Sequence, residues 1–165
     1  MSLKGIMRAF DTSSIVHAWD NYPIQKFPKL WAWIAKQLDI GEIVFPSVVI
    51  DEVRFVSPDC LAWMQAVGFQ QLPMTDVILL LALEIKEYLG IENPRGVGGV
   101  GENDIFIVCA ASVNGYGLVS NEATQAIPPL NRQKYKMPVV CSLPNLNVKC
   151  MNFLQYLNAS QGEFG

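Results

Sequence analysis

Ile6-Met-Arg-Ala-Phe10 followed by Asp11-Thr-Ser-Ser14 is the stretch on which the fold reading turns. A short apolar run that ends on an acid and a row of hydroxyls reads as a β-strand handing over to a helix, with Ser13 or Ser14 as the cap and the helix running to about Asp20. The same handover recurs downstream. Ile43-Val-Phe45 leads into Pro46-Ser47 and a helix with Val49, Ile50 and Val53 on its inner face. Gly117-Leu-Val-Ser120 is a further strand, and Val148-Lys-Cys-Met151 precedes a last helix at Phe153–Leu157. Phe69-Gln-Gln-Leu72 fits an edge strand.

Helical spacing fills the intervals. Leu30, Trp31, Ile34, Ala35 and Leu38 recur on one face until Gly41, and Ser57-Pro58 opens a helix that Gly68 closes. Thr75 caps the strongest helix, Asp76 to Leu89; a Pro/Gly loop over 91–101 leads to another at Asn103–Val113, and a short helix lies near 138–143. Short apolar strands alternating with helices predict a mostly parallel sheet between two helical layers, in one α/β domain over 1–165.

Composition narrows the function classes. In 165 residues, 51% are hydrophobic, which excludes a disordered chain, and only 16% are charged against roughly 25% in an average domain. So little charge predicts apolar surface facing a partner or a second copy. The longest apolar runs, Val77–Leu83 and Ile105–Ala111, are far short of the ~20 residues of a membrane span. No basic stretch leads into a long apolar run at the N-terminus, so a cytoplasmic protein is expected, with Met1-Ser-Leu3 a cloning remnant. Cys60, Cys109, Cys141 and Cys150 form no C-x-x-C pair, and the single His17 completes no local zinc site. His17 reads as a packed or surface imidazole. The net charge of −3 speaks against binding nucleic acid by Coulomb attraction alone, unless acids gather to hold a cation.

Four acids have that potential. In an open α/β sheet, ligands sit beyond the carboxyl ends of the strands. Asp11 follows the first strand and Glu122 the fourth; Glu52 lies on the helix after the second, and Asp104 in the first turn of the helix entering the fourth. If strands one, two and four are neighbours, the four meet at one rim. They would repel and partly protonate without a cation, and hard carboxylate oxygens suit Mg²⁺ or Mn²⁺. The chemistry implied is metal-assisted hydrolysis of a phosphodiester. Taken singly, each acid has a plainer reading: Asp104 and Glu102 as helix-dipole partners, Glu52 as a solvated residue, Asp11 as a cap.

These pieces resemble the PIN domain superfamily of metal-dependent ribonucleases, in particular an uncharacterised PIN-like bacterial and archaeal group. The matching motifs are Phe10-Asp-Thr-Ser-Ser14, Pro46-x-x-Val49-x-x-Glu52, Asn103-Asp-Ile-Phe-Ile-Val-Cys-Ala-Ala111 and Val119-Ser-Asn-Glu122. The resemblance implies a three-layer α/β/α sandwich with strand order 3-2-1-4-5, and Asp11, Glu52 and Asp104 as ligands and catalytic groups for one or two Mg²⁺ or Mn²⁺. Glu122 completes the site or orients a water; it stands where the family usually has Thr-x-Asp, so the acid is longer here. Asn121 or Glu102 are the alternatives for that last place. The group is similar to the toxin halves of toxin–antitoxin pairs, which cleave RNA and commonly dimerise. An RNA substrate, an antitoxin-type protein partner and a homodimer are therefore expected. The rival is a PIN-like module that keeps the fold and binds a protein or RNA without cleaving.

Thr12 and Ser13 are expected to donate to a carboxylate or to a substrate phosphate oxygen, if they are not simply caps. Arg132 and Lys134, in the cluster Arg132-Gln-Lys-Tyr-Lys136, are expected to grip an RNA backbone with Tyr135 stacking on a base, unless that loop is merely solvated. Asp51 points about 100° from Glu52 on a helix and is left out. Trp31 and Trp33 cannot share a helical face, so one is expected to point outward, towards a dimer or antitoxin groove.

Two literal matches mislead. Gly96-Val-Gly98-Gly-Val-Gly101 fits G-x-G-x-x-G, but no strand precedes it and Glu102-Asn-Asp104 sets carboxylates where pyrophosphate would lie. It reads as a flexible flap instead. Asp11-Thr-Ser13 invites comparison with haloacid-dehalogenase-type phosphatases, which need a second Asp where Ser13 stands.

Overall fold

Phe10 marks the centre of the molecule. It is fully buried, with its ring edge-on to Phe45 at 6.3 Å and to Tyr156 at 5.1 Å. A computed structural model describes residues 7–164. Ile6, at the start of the expected first strand, and the Met1-Ser-Leu3 segment lie outside the described residues.

The strands are β1 (Arg8–Phe10), β2 (Ile43–Pro46), β3 (Gln70–Leu72), β4 (Gly117–Val119) and β5 (Cys150–Met151). The helices are α1 (Thr12–Asn21), α2 (Pro28–Asp39), α3 (Ser47–Val56), α4 (Pro58–Val67), α5 (Asp76–Leu89), α6 (Glu102–Asn114), α7 (Met137–Cys141) and α8 (Phe153–Ala159). All strand pairs are parallel, in the order β3-β2-β1-β4-β5, as expected. Ala9 lies beside Val44 on one side and Leu118 on the other, and Phe10 beside Val119. Both faces of these short strands are covered, which is why β2 reads as a continuous apolar run.

Local chemistry accounts for most boundaries. Pro58 fits the first turn of α4, Thr75 accepts a hydrogen bond from Ile78 N, and Gly90 closes α5 in the left-handed conformation that favours glycine. The cap of α1 differs from expectation. It is Asp11, whose carboxylate accepts from Ser14 N at 2.9 Å, while Ser13 and Ser14 lie inside the helix. The acid begins the helix because its side chain reaches N3 as well as a serine would and favours the positive end of the helix dipole.

The tryptophans also correct an expectation. Trp31 is 1% exposed, edge-on between Trp19 and Trp63. Trp33 is half-buried beneath Tyr156 and Phe164, whose rings lie 5.6 and 5.0 Å away. The C-terminal residues thus cover the face that was expected to be open. Exposed apolar residues include Val77, Leu80 and Leu83 of α5, which are 60%, 63% and 62% exposed. No helix among the described residues is long and apolar enough to cross a membrane.

Candidate functional site

The ends of β1 and β4 lie side by side, and their backbones are joined by a hydrogen bond from Asp11 N to Val119 O at 3.1 Å. The residues just beyond these strands therefore share one rim. Asp11 is 2% exposed. Its Oδ1 accepts from the Ser13 hydroxyl at 2.8 Å as well as from Ser14 N, and its Oδ2 accepts from the Ser120 hydroxyl at 2.6 Å. Those hydroxyls are held in turn: Asn121 N donates to Ser13 Oγ, and Glu122 N to Ser120 Oγ. The loop after β4 is thereby fastened to the start of α1.

Glu52, on α3, accepts from the Thr12 hydroxyl at 2.8 Å. Asp104 occupies the third position of α6 and accepts from Gly101 N at 2.9 Å, which is also its plainer role as a capping residue. Thr12 and Ser13 thus both donate to carboxylates, the first of their two expected partners.

Electrostatics shows that the four acids sense one another. Burial pushes Asp11 up from 3.8 to about 6, against the pull of its Ser120, Ser13 and Ser14 hydrogen bonds, and the charge of Glu122 adds to the rise. Glu52 is raised by burial, and by Asp104 and Glu122, with Thr12 and the Asn103 side chain opposing. Burial also raises Asp104 and Glu122, the latter with a contribution from Asp104 that Lys136 opposes. Asp104, Glu122 and Lys136 line one small cleft of about 80 Å³, walled by Gly98, Gly99 and Val100.

Other acids are removed from the rim. Glu102 is paired with Lys86 of α5 at 2.8 Å, so it does not stand in for Asp104. Asp51 pairs with Arg54 on the exposed face of α3. His17 bonds Asn21 and has its ring against Tyr22.

The basic loop is held against α5 and the glycine-rich loop. The Arg132 guanidinium lies 4.2 Å over the Tyr88 ring and donates to Tyr88 O, while Lys134 Nζ donates to Val97 O. Both residues are exposed and make these contacts at the surface. Lys136, the last cation of the cluster, reaches the acidic rim beside Asp104 and Glu122. Its signal was its place directly before Met137-Pro138, where α7 begins. Ser120 was likewise noted only as part of a motif, and its bond to Asp11 spans the chain.

The glycine-rich loop is no free flap. Val100 N donates to Tyr135 O at 2.8 Å and Glu102 N to Pro94 O at 2.7 Å. A Cβ on Gly99 would run into the carbonyl oxygens of Gln133 and Tyr135. The loop is a wall of the cleft, clamped by the 131–136 segment.

Carboxylate oxygens are the donor type that a hard divalent cation takes. Asp11 is a buried carboxylate that no lysine, arginine or histidine pairs with among the described residues, and its neighbours across the rim are also carboxylates. As placed, no three His, Cys, Asp or Glu side chains among the described residues stand close enough to share one ion. Asp11 turns to serine hydroxyls, Glu52 to Thr12 and Asp104 to Gly101 N, which keeps like charges apart.

The architecture is found in a solved structure. The crystal structure of VapBC2 from Rickettsia felis bound to a DNA fragment from their promoter is similar in fold, with a TM-score of 0.54 and 16% sequence identity over 89% of this chain and 98% of that one. The fold is PIN-like, as the motifs implied. No curated protein matches the chain. A family model described as a domain of unknown function, DUF4411, matches residues 9–164, and the match takes in all the rim carboxylates. The chain belongs to the DUF4411 family.

Proposed function

We propose that the chain is a single-domain, metal-dependent ribonuclease that hydrolyses RNA phosphodiester bonds in the cytoplasm, as the toxin of a toxin–antitoxin pair. The observation that carries this reading is Asp11: a nearly fully buried carboxylate with no cationic partner among the described residues, beside the charge of Glu122, which in turn senses Asp104. Such an arrangement is costly unless a cation joins it. Asp11, Glu52, Asp104 and Glu122 would hold Mg²⁺ or Mn²⁺. When bound, the ion supplies charge neutralisation and polarises a phosphodiester. Ser13 and Ser120 keep both oxygens of Asp11 oriented, Thr12 aims Glu52, and Lys136 sets a positive charge beside the acids to attract a phosphate.

The apolar face of α5 supports a homodimer. An antiparallel two-fold pairing of this helix, level with Leu81, would set Leu79 against Leu83 of the second copy and cover the exposed aliphatic residues of both. The antitoxin-type partner rests on the sequence resemblance.

The rival reading is a PIN-like module that binds without cleaving, and the spacing of the acids as placed favours it. Incubation of end-labelled single-stranded RNA with the wild type and with Asp104→Asn separates the two. The nuclease reading expects cleavage with Mg²⁺ or Mn²⁺, none with EDTA, and a loss on the order of 10²-fold or more in the variant. RNA binding by a wild type that cleaves neither with Mg²⁺ nor with Mn²⁺ establishes the rival.

A further inference from the structure

A second cleft, of about 270 Å³, opens beyond β4 and β5 on the other side of Glu122. It shares Ser120 and Glu122 with the acidic rim, so a chain crossing the carboxylates can enter it. Asn121, Thr124, Asn152 and Gln155 add to its polar lining, with Pro138 and Met151 among its apolar walls.

The three amides are oriented by the backbone. Asn121 Oδ1 accepts from Phe153 N at 2.9 Å, Asn152 Oδ1 from Gln155 N at 2.8 Å, and Gln155 Oε1 from Asn152 N at 2.8 Å. A backbone N–H pairs only with the oxygen end of an amide, so the NH₂ ends are the free ones. Asn152 and Gln155 are exposed and Asn121 is half-buried, and none of the three NH₂ groups has a partner among the described residues, so the cleft offers donors free to meet a ligand. No lysine or arginine lines it and Glu122 does, so a neutral acceptor suits it better than an anion.

We infer that this cleft holds a nucleobase of the RNA flanking the scissile phosphate, recognised through its carbonyl oxygens by Asn121, Asn152 and Gln155. The inference rests on the ribonuclease reading for the class of ligand. Uracil offers two carbonyl oxygens and no exocyclic amine to oppose the NH₂ donors, whereas adenine offers no carbonyl and cytosine carries an amine. Pro138 and Met151 give the ring an apolar surface to lie against.

The test measures binding of fluorescent octamers of uridine, adenosine, cytidine and abasic ribose to the full chain carrying Asp104→Asn. The expected result is about tenfold tighter binding of the uridine octamer than of the adenosine octamer, with the abasic octamer weakest. The double change Asn152→Asp and Gln155→Glu keeps both oxygens that cap α8 while removing two NH₂ groups. Its added charge weakens all octamers alike, so the uridine-to-adenosine ratio reports the base contact, and it falls to within twofold. Equal binding of all three bases, an abasic octamer as tight as uridine, an unchanged ratio in the double variant, or no RNA bound at all overturns the inference. Cleavage by the wild type without a base preference removes the base cleft and leaves the nuclease standing. A base preference without any cleavage removes the nuclease and leaves the cleft.

Discussion

The hydroxyl of Ser120, at the end of β4, donates a 2.6 Å hydrogen bond to Asp11 Oδ2 at the end of β1, joining residues 109 positions apart in sequence. It is the strongest influence opposing the burial that raises the Asp11 carboxyl. Replacing Ser120 by Ala leaves one oxygen of a buried carboxylate without that donor. Its expected effects are an Asp11 pKa above the present value of about 6 and a loss of roughly 1–3 kcal/mol of stability at neutral pH. NMR titration of the Asp11 carboxyl and urea unfolding check both, and an unshifted titration contradicts the assigned role.

Stability depends on pH with a definite sign. Asp11 titrates near 6 in the folded chain and at about 3.8 when unfolded, so between those values the native state binds more protons. Stability in EDTA therefore falls as the pH rises from about 4 to about 6, and the ionised carboxylate then costs on the order of 3 kcal/mol from Asp11. Glu52, Asp104 and Glu122, all raised, add in the same direction. Urea unfolding in EDTA at pH 4.5 and 7 should show the greater stability at the lower pH. The reverse order would show that these acids do not govern it.

A divalent ion removes that penalty. At 100 times its dissociation constant a ligand stabilises by about 2.7 kcal/mol, which raises the Tm of a domain this size by several degrees. Mg²⁺ or Mn²⁺ should raise the Tm of the wild type and have little effect on the Asp11→Asn/Asp104→Asn double variant. The variant itself should be at least as stable as the wild type in EDTA, because a buried charge is gone. An equal ion response in both would place any bound metal elsewhere.

The dimer reading depends on the face of α5. Leu83 is 62% exposed, so Leu83→Glu disturbs little in an isolated chain and sets a carboxylate beside Leu79 in the paired helices. Light scattering should show a dimer for the wild type and a monomer for Leu83→Glu, with unchanged circular dichroism. A wild type that is monomeric at high concentration disposes of the antiparallel pairing.

Much of the architecture was legible from local chemistry. Apolar triplets ending on Asp11 and Ser120, Pro58 at the start of α4 and Thr75 before α5 act within a few residues of themselves, so the elements and a mostly parallel sheet could be read along the chain, while the strand order came from the resemblance. The roles of individual polar side chains could not. Glu102 and Asp104 occupy the same first turn of α6, yet one is bound to Lys86 and the other lines the acidic cleft. Two residues differ by about 200° around a helix, and the packing of α6 on α5 sets which of them turns inward. Arg132 and Lys136 are separated in the same way, the first drawn to Tyr88 and the second left beside Glu122. Backbone propensity acts over a turn, whereas a side chain's partner is chosen among groups that meet only once the sheet has closed.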